Sequence, residues 1–264
     1  MLLARPLGTV FQLRRFLYRA EPALVKLALP DEVPEPARSW LVRARDAVAA
    51  LGFEPLETIR VDRGSYTFTC LMENAETRTI AVLSWHARSR TVLFETMTGT
   101  RRRLTISSDS TIDLPLPDDV DAVELFGIVP SELLNVHRTL VSSSHDADPS
   151  SYRSTPTAAR NDPIGFIRDR EIRSRDALVR AGVAVLSGEE MRFTWSGAIR
   201  VVFSTTIPLS VVRAFLRARR TNKLVSAHGA EGPIEKRGST ARSVLYFAIV
   251  LIIMLVVWNA LVPR

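Results

Sequence analysis

The 264-residue chain reads as an α+β protein: an antiparallel sheet of about four to six strands with covering helices, followed by one C-terminal transmembrane helix. Three observations predict this. Runs of period-two character between residues 66 and 107 are joined by connections too short for parallel crossovers, so they pair as antiparallel hairpins. Segments of helical period stand before and after those runs, the order of an α+β domain. Residues 244–262 then form a long apolar stretch without a single charge.

The first region, 1–36, holds a basic amphipathic helix and a proline-rich connector. Within 7–20, Val10, Leu13, Phe16 and Leu17 fall at helical spacing with Arg14, Arg15 and Arg19 between them. Such a helix suits packing on the body or contact with a membrane surface, where arginine meets anionic lipid and phenylalanine enters the headgroup layer. Pro30 to Pro36 breaks the chain into an extended connector.

An α+β domain is expected over 37–141. Ala37, Trp40, Leu41, Ala44, Val48 and Leu51 share one face of a helix over 37–51, stopped by Gly52 and Phe53. Strands follow at Tyr66–Met72, Thr79–Trp85, Thr91–Met97 and Arg103–Ser107, and the meander they form is expected to carry helices on one face. Residues 111–150 hold eight acidic side chains against Arg138 alone. Asp118, Asp119, Asp121 and Glu124 there form either a solvated face or a docking surface for the basic segment near the membrane. Pro130 and Glu132 open a helix to about Val141 that turns Leu133, Val136, His137, Leu140 and Val141 to the core.

Residues 142–162, rich in Ser, Thr, Pro and Asp, read as a linker or long loop. Over 163–225 a helix, a hairpin and a basic amphipathic helix are expected to pack on the domain or on the membrane surface. Asp162 and Pro163 are an N-cap and a first-turn proline for a helix reaching Leu186 before Ser187-Gly188. Asp169 with Arg173, Glu171 with Arg175 and Asp176 with Arg180 are spaced as acid-to-base pairs four apart. Met191–Trp195 and Ile199–Thr206 read as strands of a second hairpin turning at Ser196-Gly197. Pro208 opens a helix with Leu209, Val212, Phe215 and Leu216 on one side and Arg213, Arg217 and Arg220 on the other. With Arg219, these arginines are placed to lie on an anionic cytoplasmic leaflet. A linker, 226–243, leads to the apolar run.

As a helix, residues 244–262 measure about 28 Å at roughly 1.5 Å per residue, close to the hydrocarbon thickness of a bilayer. Tyr246 and Trp258 stand where aromatic side chains favour the two interfaces. Arg213 to Arg242 supply eight basic residues upstream against Arg264 downstream, so the positive-inside rule puts the body in the cytoplasm, a tail-anchored arrangement. No uninterrupted signal-peptide core precedes it, because arginines break up the N-terminal apolar residues.

The net charge of +7 invites a nucleic-acid reading until it is divided by position. Residues 1–190 carry 24 basic against 26 acidic side chains, whereas 191–264 carry 11 against 2. A basic tail continuing into a membrane anchor calls for lipid, and the compact Arg101-Arg102-Arg103 cluster lacks interleaved aromatics. The expected partners are therefore a lipid bilayer and anionic headgroups, with no nucleic acid.

Chemistry is sparse. There is no phosphate-binding glycine loop, no dinucleotide fingerprint, no nucleophile elbow and no pair of ligands at metal spacing, so neither a metal nor a cofactor is expected. Cys70 in mid-strand reads as core, and one cysteine makes no internal disulfide. Of the four histidines, His137 is the best candidate general base; His86 ends a strand, and His145 and His228 sit in linkers. Two functions follow: a cytosolic binding or scaffold domain, or a membrane-associated hydrolase with a non-motif active site near His137. A cleft bringing His137 to a carboxylate and a hydroxyl would favour hydrolysis, and a filled surface there would favour binding.

Ala-Leu-Gly-Phe at 50–53 before a small sheet, the His137-bearing helix from Glu132 to Val141, and Arg-Phe-Thr-Trp-Ser-Gly-Ala at 192–198 leading to Pro208 resemble a group of bacterial membrane-anchored proteins. That resemblance implies a small α+β cytosolic domain on a membrane helix, and implies no activity.

Overall fold

A computed structural model describes residues 4–27, 32–87, 89–98, 101–108, 114–125, 127–142 and 155–205, together with Leu216 and Arg219. The elements in order are α1 (Ala4–Arg15), β1 (Tyr18–Arg19), β2 (Ala23–Lys26), α2 (Glu35–Ala49), β3 (Glu54–Asp62), β4 (Tyr66–Asn74), β5 (Thr79–His86), β6 (Ser89–Thr98), β7 (Arg101–Ser108), β8 (Val120–Leu125), α3 (Pro130–Ser142), α4 (Thr155–Asn161), α5 (Pro163–Arg180), β9 (Ala184–Ser187), β10 (Glu190–Phe193) and α6 (Trp195–Thr205).

The expected meander is the centre of a larger, mixed sheet. Seven strands lie in chain order, β2-β3-β4-β5-β6-β7-β8, antiparallel throughout except that β8 runs parallel to β7. The all-antiparallel expectation fails at that last pair because the chain between Ser108 and Val120 is long enough to return to the same end of the sheet. Part of what reads as an acidic loop is thus an edge strand. The short β2, and β3 with its bulge between Pro55 and Glu57, had no clean alternation to reveal them.

Helices cover both faces of this sheet, not one. On the first face Phe68, Cys70 and Met72 of β4, Ala81 and Leu83 of β5 and Phe94 of β6 meet Ala37, Leu41, Ala44 and Val48 of α2 and Leu133, Leu134 and Val136 of α3. On the second, Ile59, Val61, Leu71, Ile80, Val82, Leu93, Leu104 and Ile106 meet Ala159 of α4 and Phe166 and Ile167 of α5. Strands buried on both sides need apolar residues at odd and even positions. Burying each such side chain contributes about 1.5–3 kcal/mol.

α5 begins as expected, with the Asp162 carboxylate accepting from the Gly165 backbone N–H at 2.8 Å. It ends at Arg180 rather than Leu186, because Gly182 adopts φ +68° and Val183 N–H closes back on the Leu178 carbonyl at 2.9 Å. Gly188, expected to stop this helix, instead turns the β9–β10 hairpin with φ +63°.

The segment expected as a strand from Ile199 to Thr206 is the helix α6. Thr194 caps it, its hydroxyl accepting from Gly197 N–H at 3.0 Å. Ile199, Val201 and Phe203 recur at every second position and so imitate a strand, while Ala198 and Val202 are the helical pair that packs inward. Together with α1, α6 covers a second sheet of order β1-β10-β9, around Val10, Leu178, Val183, Met191 and Phe193. Leu178 of α5 reaches this core while Phe166 and Ile167 reach the other, so one helix serves both. Within the expected 142–162 linker, 155–161 is the helix α4.

Candidate functional site

His137 projects from α3 into the sheet. Nε2 lies 2.9 Å from the Thr96 hydroxyl of β6 and Nδ1 lies 3.0 Å from the Thr105 hydroxyl of β7; Thr96 is bonded in turn to Thr79 of β5 at 3.0 Å. A neutral imidazole offers one donor and one acceptor, and two rotatable hydroxyls match both. Burial at 1 % exposure pushes the pKa down to about 3, and the Arg138 charge adds to that. The ring is therefore neutral near pH 7, saturated with hydrogen bonds, and beside two hydroxyls with no carboxylate among its hydrogen-bond partners. This network stitches three strands to α3.

The Arg101–Arg103 cluster is neutralised by the acidic segment. Arg101 and Arg103 both bond Asp121, at 2.7 and 2.8 Å, and the Arg101 guanidinium holds that carboxyl below its usual range. Arg102 turns to the other face, where it meets Glu95, 1 % exposed, at 2.8 Å; Arg170 of α5 meets the second oxygen of Glu95 at 3.1 Å. Asp119 receives Arg173 at 2.9 Å, and Asp118 receives Arg180. These acids dock the arginines of β7 and α5. The α5 arginines reach across the fold to them in place of the expected partners four residues away, while Arg175 pairs with its neighbour Asp176 and Glu171 with Arg63.

A cleft of about 380 Å³ opens between α2, the β6–β7 end of the sheet and the start of α3. Trp40, Ala44, Val92, Ile128 and Val129 supply apolar walls, and the exposed guanidinium groups of Arg43 and Arg90 supply positive charge. Ser107 donates to the Ile128 carbonyl at 3.2 Å and so shapes the floor. None of the described lining residues is an acid, a histidine or a cysteine. The cleft can hold an anionic group against an aromatic wall. A smaller pocket of about 250 Å³ lies between the two sheets, roofed by the Arg63–Glu171 pair at 3.0 Å. His137 lines neither.

The remaining candidates are scattered. Arg219 is an exposed helical residue, whereas Arg213, Arg217 and Arg220, like the 244–262 run, His145 and His228, lie outside the described residues. Among the described residues no helix is long and apolar enough to cross a membrane, and no three acidic, histidine or cysteine side chains gather as a metal site. Cys70 is buried, which pushes its thiol pKa up. His86 bonds Ser65 at 3.3 Å. The cleft residues escaped sequence reasoning because Trp40, Arg90, Ser107 and Pro130 come from four elements and share no spacing.

No protein-family model, curated protein or solved structure matches the chain.

Proposed function

We propose that this chain is a single-pass membrane protein whose cytosolic α+β body works by binding, with the cleft beside Trp40 as the face that receives the ligand. The observation that carries the reading is a contrast between two places. The cleft is built from recognition groups, an aromatic wall and two guanidinium groups. The best candidate base, His137, is sealed in the core with both ring nitrogens engaged. What supports the membrane half is residues 244–262, nineteen uncharged residues with Tyr246 and Trp258 near their ends and the basic residues upstream.

Membrane fractionation tests the location. The full chain stays in the pellet after alkaline carbonate, and a chain lacking 244–264 is released; release of both discards the anchor. Affinity capture from solubilised membranes tests the cleft. A partner or ligand held by the full chain is lost from Trp40→Ala and Arg43→Glu chains of unchanged circular dichroism. Turnover of ester or phosphoester substrates that disappears in His137→Gln would replace binding by hydrolysis.

A further inference from the structure

We propose that the face shared by α1 and α6 lies flat on the anionic surface of the bilayer, an inference that rests on the membrane anchorage proposed above. Three large apolar side chains stand out of this face: Phe11 at 54 %, Trp195 at 45 % and Ile199 at 44 % exposure. Phe11 and Trp195 meet edge to face at 4.9 Å, and Ile199 follows Trp195 by one helical turn, so the three form one ridge. The Arg14 guanidinium lies 4.7 Å from the centre of the Trp195 ring. Behind the ridge, Val10, Ala198 and Val202 are buried against the small sheet, which fixes its shape.

Charge selects the occupant. Among their described side chains α1 and α6 carry Arg14, Arg15 and Arg200 and no acidic residue. A second copy related by a twofold axis would set these arginines against themselves. The following segment of the same chain, with Arg213, Arg217, Arg219 and Arg220, would do the same. An anionic headgroup layer accepts both the aromatic ridge and its arginine rim, because tryptophan and phenylalanine settle at the level where arginine reaches phosphate. Along the chain, α6 is also the last numbered element before the 244–262 run.

The test uses the full chain in nanodiscs of phosphatidylcholine with or without phosphatidylglycerol. Ile199→Cys carries an environment-sensitive nitrobenzoxadiazole label, and Val42→Cys on the exposed side of α2 is the control. Cys70 is buried and stays in place, with the unsubstituted chain as the labelling blank. In anionic discs the label at 199 shifts to the blue and is quenched by shallow nitroxide lipids at least threefold more than the label at 42. Arg14→Gln with Arg15→Gln halves that quenching or more, as do neutral discs. The proposal is overturned by a label at 199 that stays in water, or by quenching indifferent to charge. It is equally overturned by shielding without lipid quenching, the mark of a protein occupant. Carbonate extraction of the same chains reads the anchor separately: release with quenching at 199 loses only the anchor, and retention without quenching loses only the surface contact.

Discussion

Replacing His137 by Gln tests how the buried network responds to pH. The folded ring has a pKa near 3 against 6.5 when unfolded, so between those values the unfolded chain binds the extra proton. Stability from this group is complete above pH 6.5 and falls as pH falls. The loss amounts to about 2 kcal/mol between pH 7.5 and pH 5. Urea unfolding at the two pH values shows that loss in the native chain and its absence in His137→Gln; equal losses in the two chains would mean that the ring takes up its proton as readily in the fold as in the unfolded chain. Glu95 makes a second case. Glu95→Ala leaves Arg102 and Arg170 facing one another without their shared carboxylate, and costs about 3–5 kcal/mol in chemical unfolding. Restoring most of that with Arg102→Met and Arg170→Met in the same chain identifies stranded charge as the cause. His137 was legible in the sequence as a core-facing histidine. Its partners were not, because threonines on β6 and β7 become neighbours only when the strands register Phe94 with Thr105.

Among the elements, those announced by residue chemistry were the readable ones. Asp162-Pro163 marks the start of α5, and the apolar face from Ala37 to Val48 marks α2. Errors arose where two periods fit the same residues, as at Ile199 to Phe203, and where two glycines competed to end one helix. Gly197 gives α6 its close approach to the small sheet, since a methyl group there would run into the Val183 carbonyl oxygen. Gly197→Ala therefore destabilises by about 1–3 kcal/mol. Hydrogen exchange should locate the damage in α6 and β9, with β4 to β6 as protected as before; uniform loss of protection would show that the two cores do not open separately.

At the scale of the molecule, the helix layer on the second face and the parallel edge strand were invisible because both depend on where the chain returns after a long excursion. The charge division has a structural counterpart. Acidic side chains of the body are spent on its own arginines, Asp121 on β7 and Asp118 and Asp119 on α5, so the Arg101–Arg103 cluster that invites a nucleic-acid reading is already paired within the fold. The smaller sheet joins Tyr18 to Met191. During synthesis the seven strands and α3 can be completed while β10 has yet to be made, so the small sheet gains its last strand and its covering helix α6 only at the end. The part of the body that closes last is the part next in line to the 244–262 run, so under the proposed anchorage the final folding step and the delivery of that run to the membrane fall together.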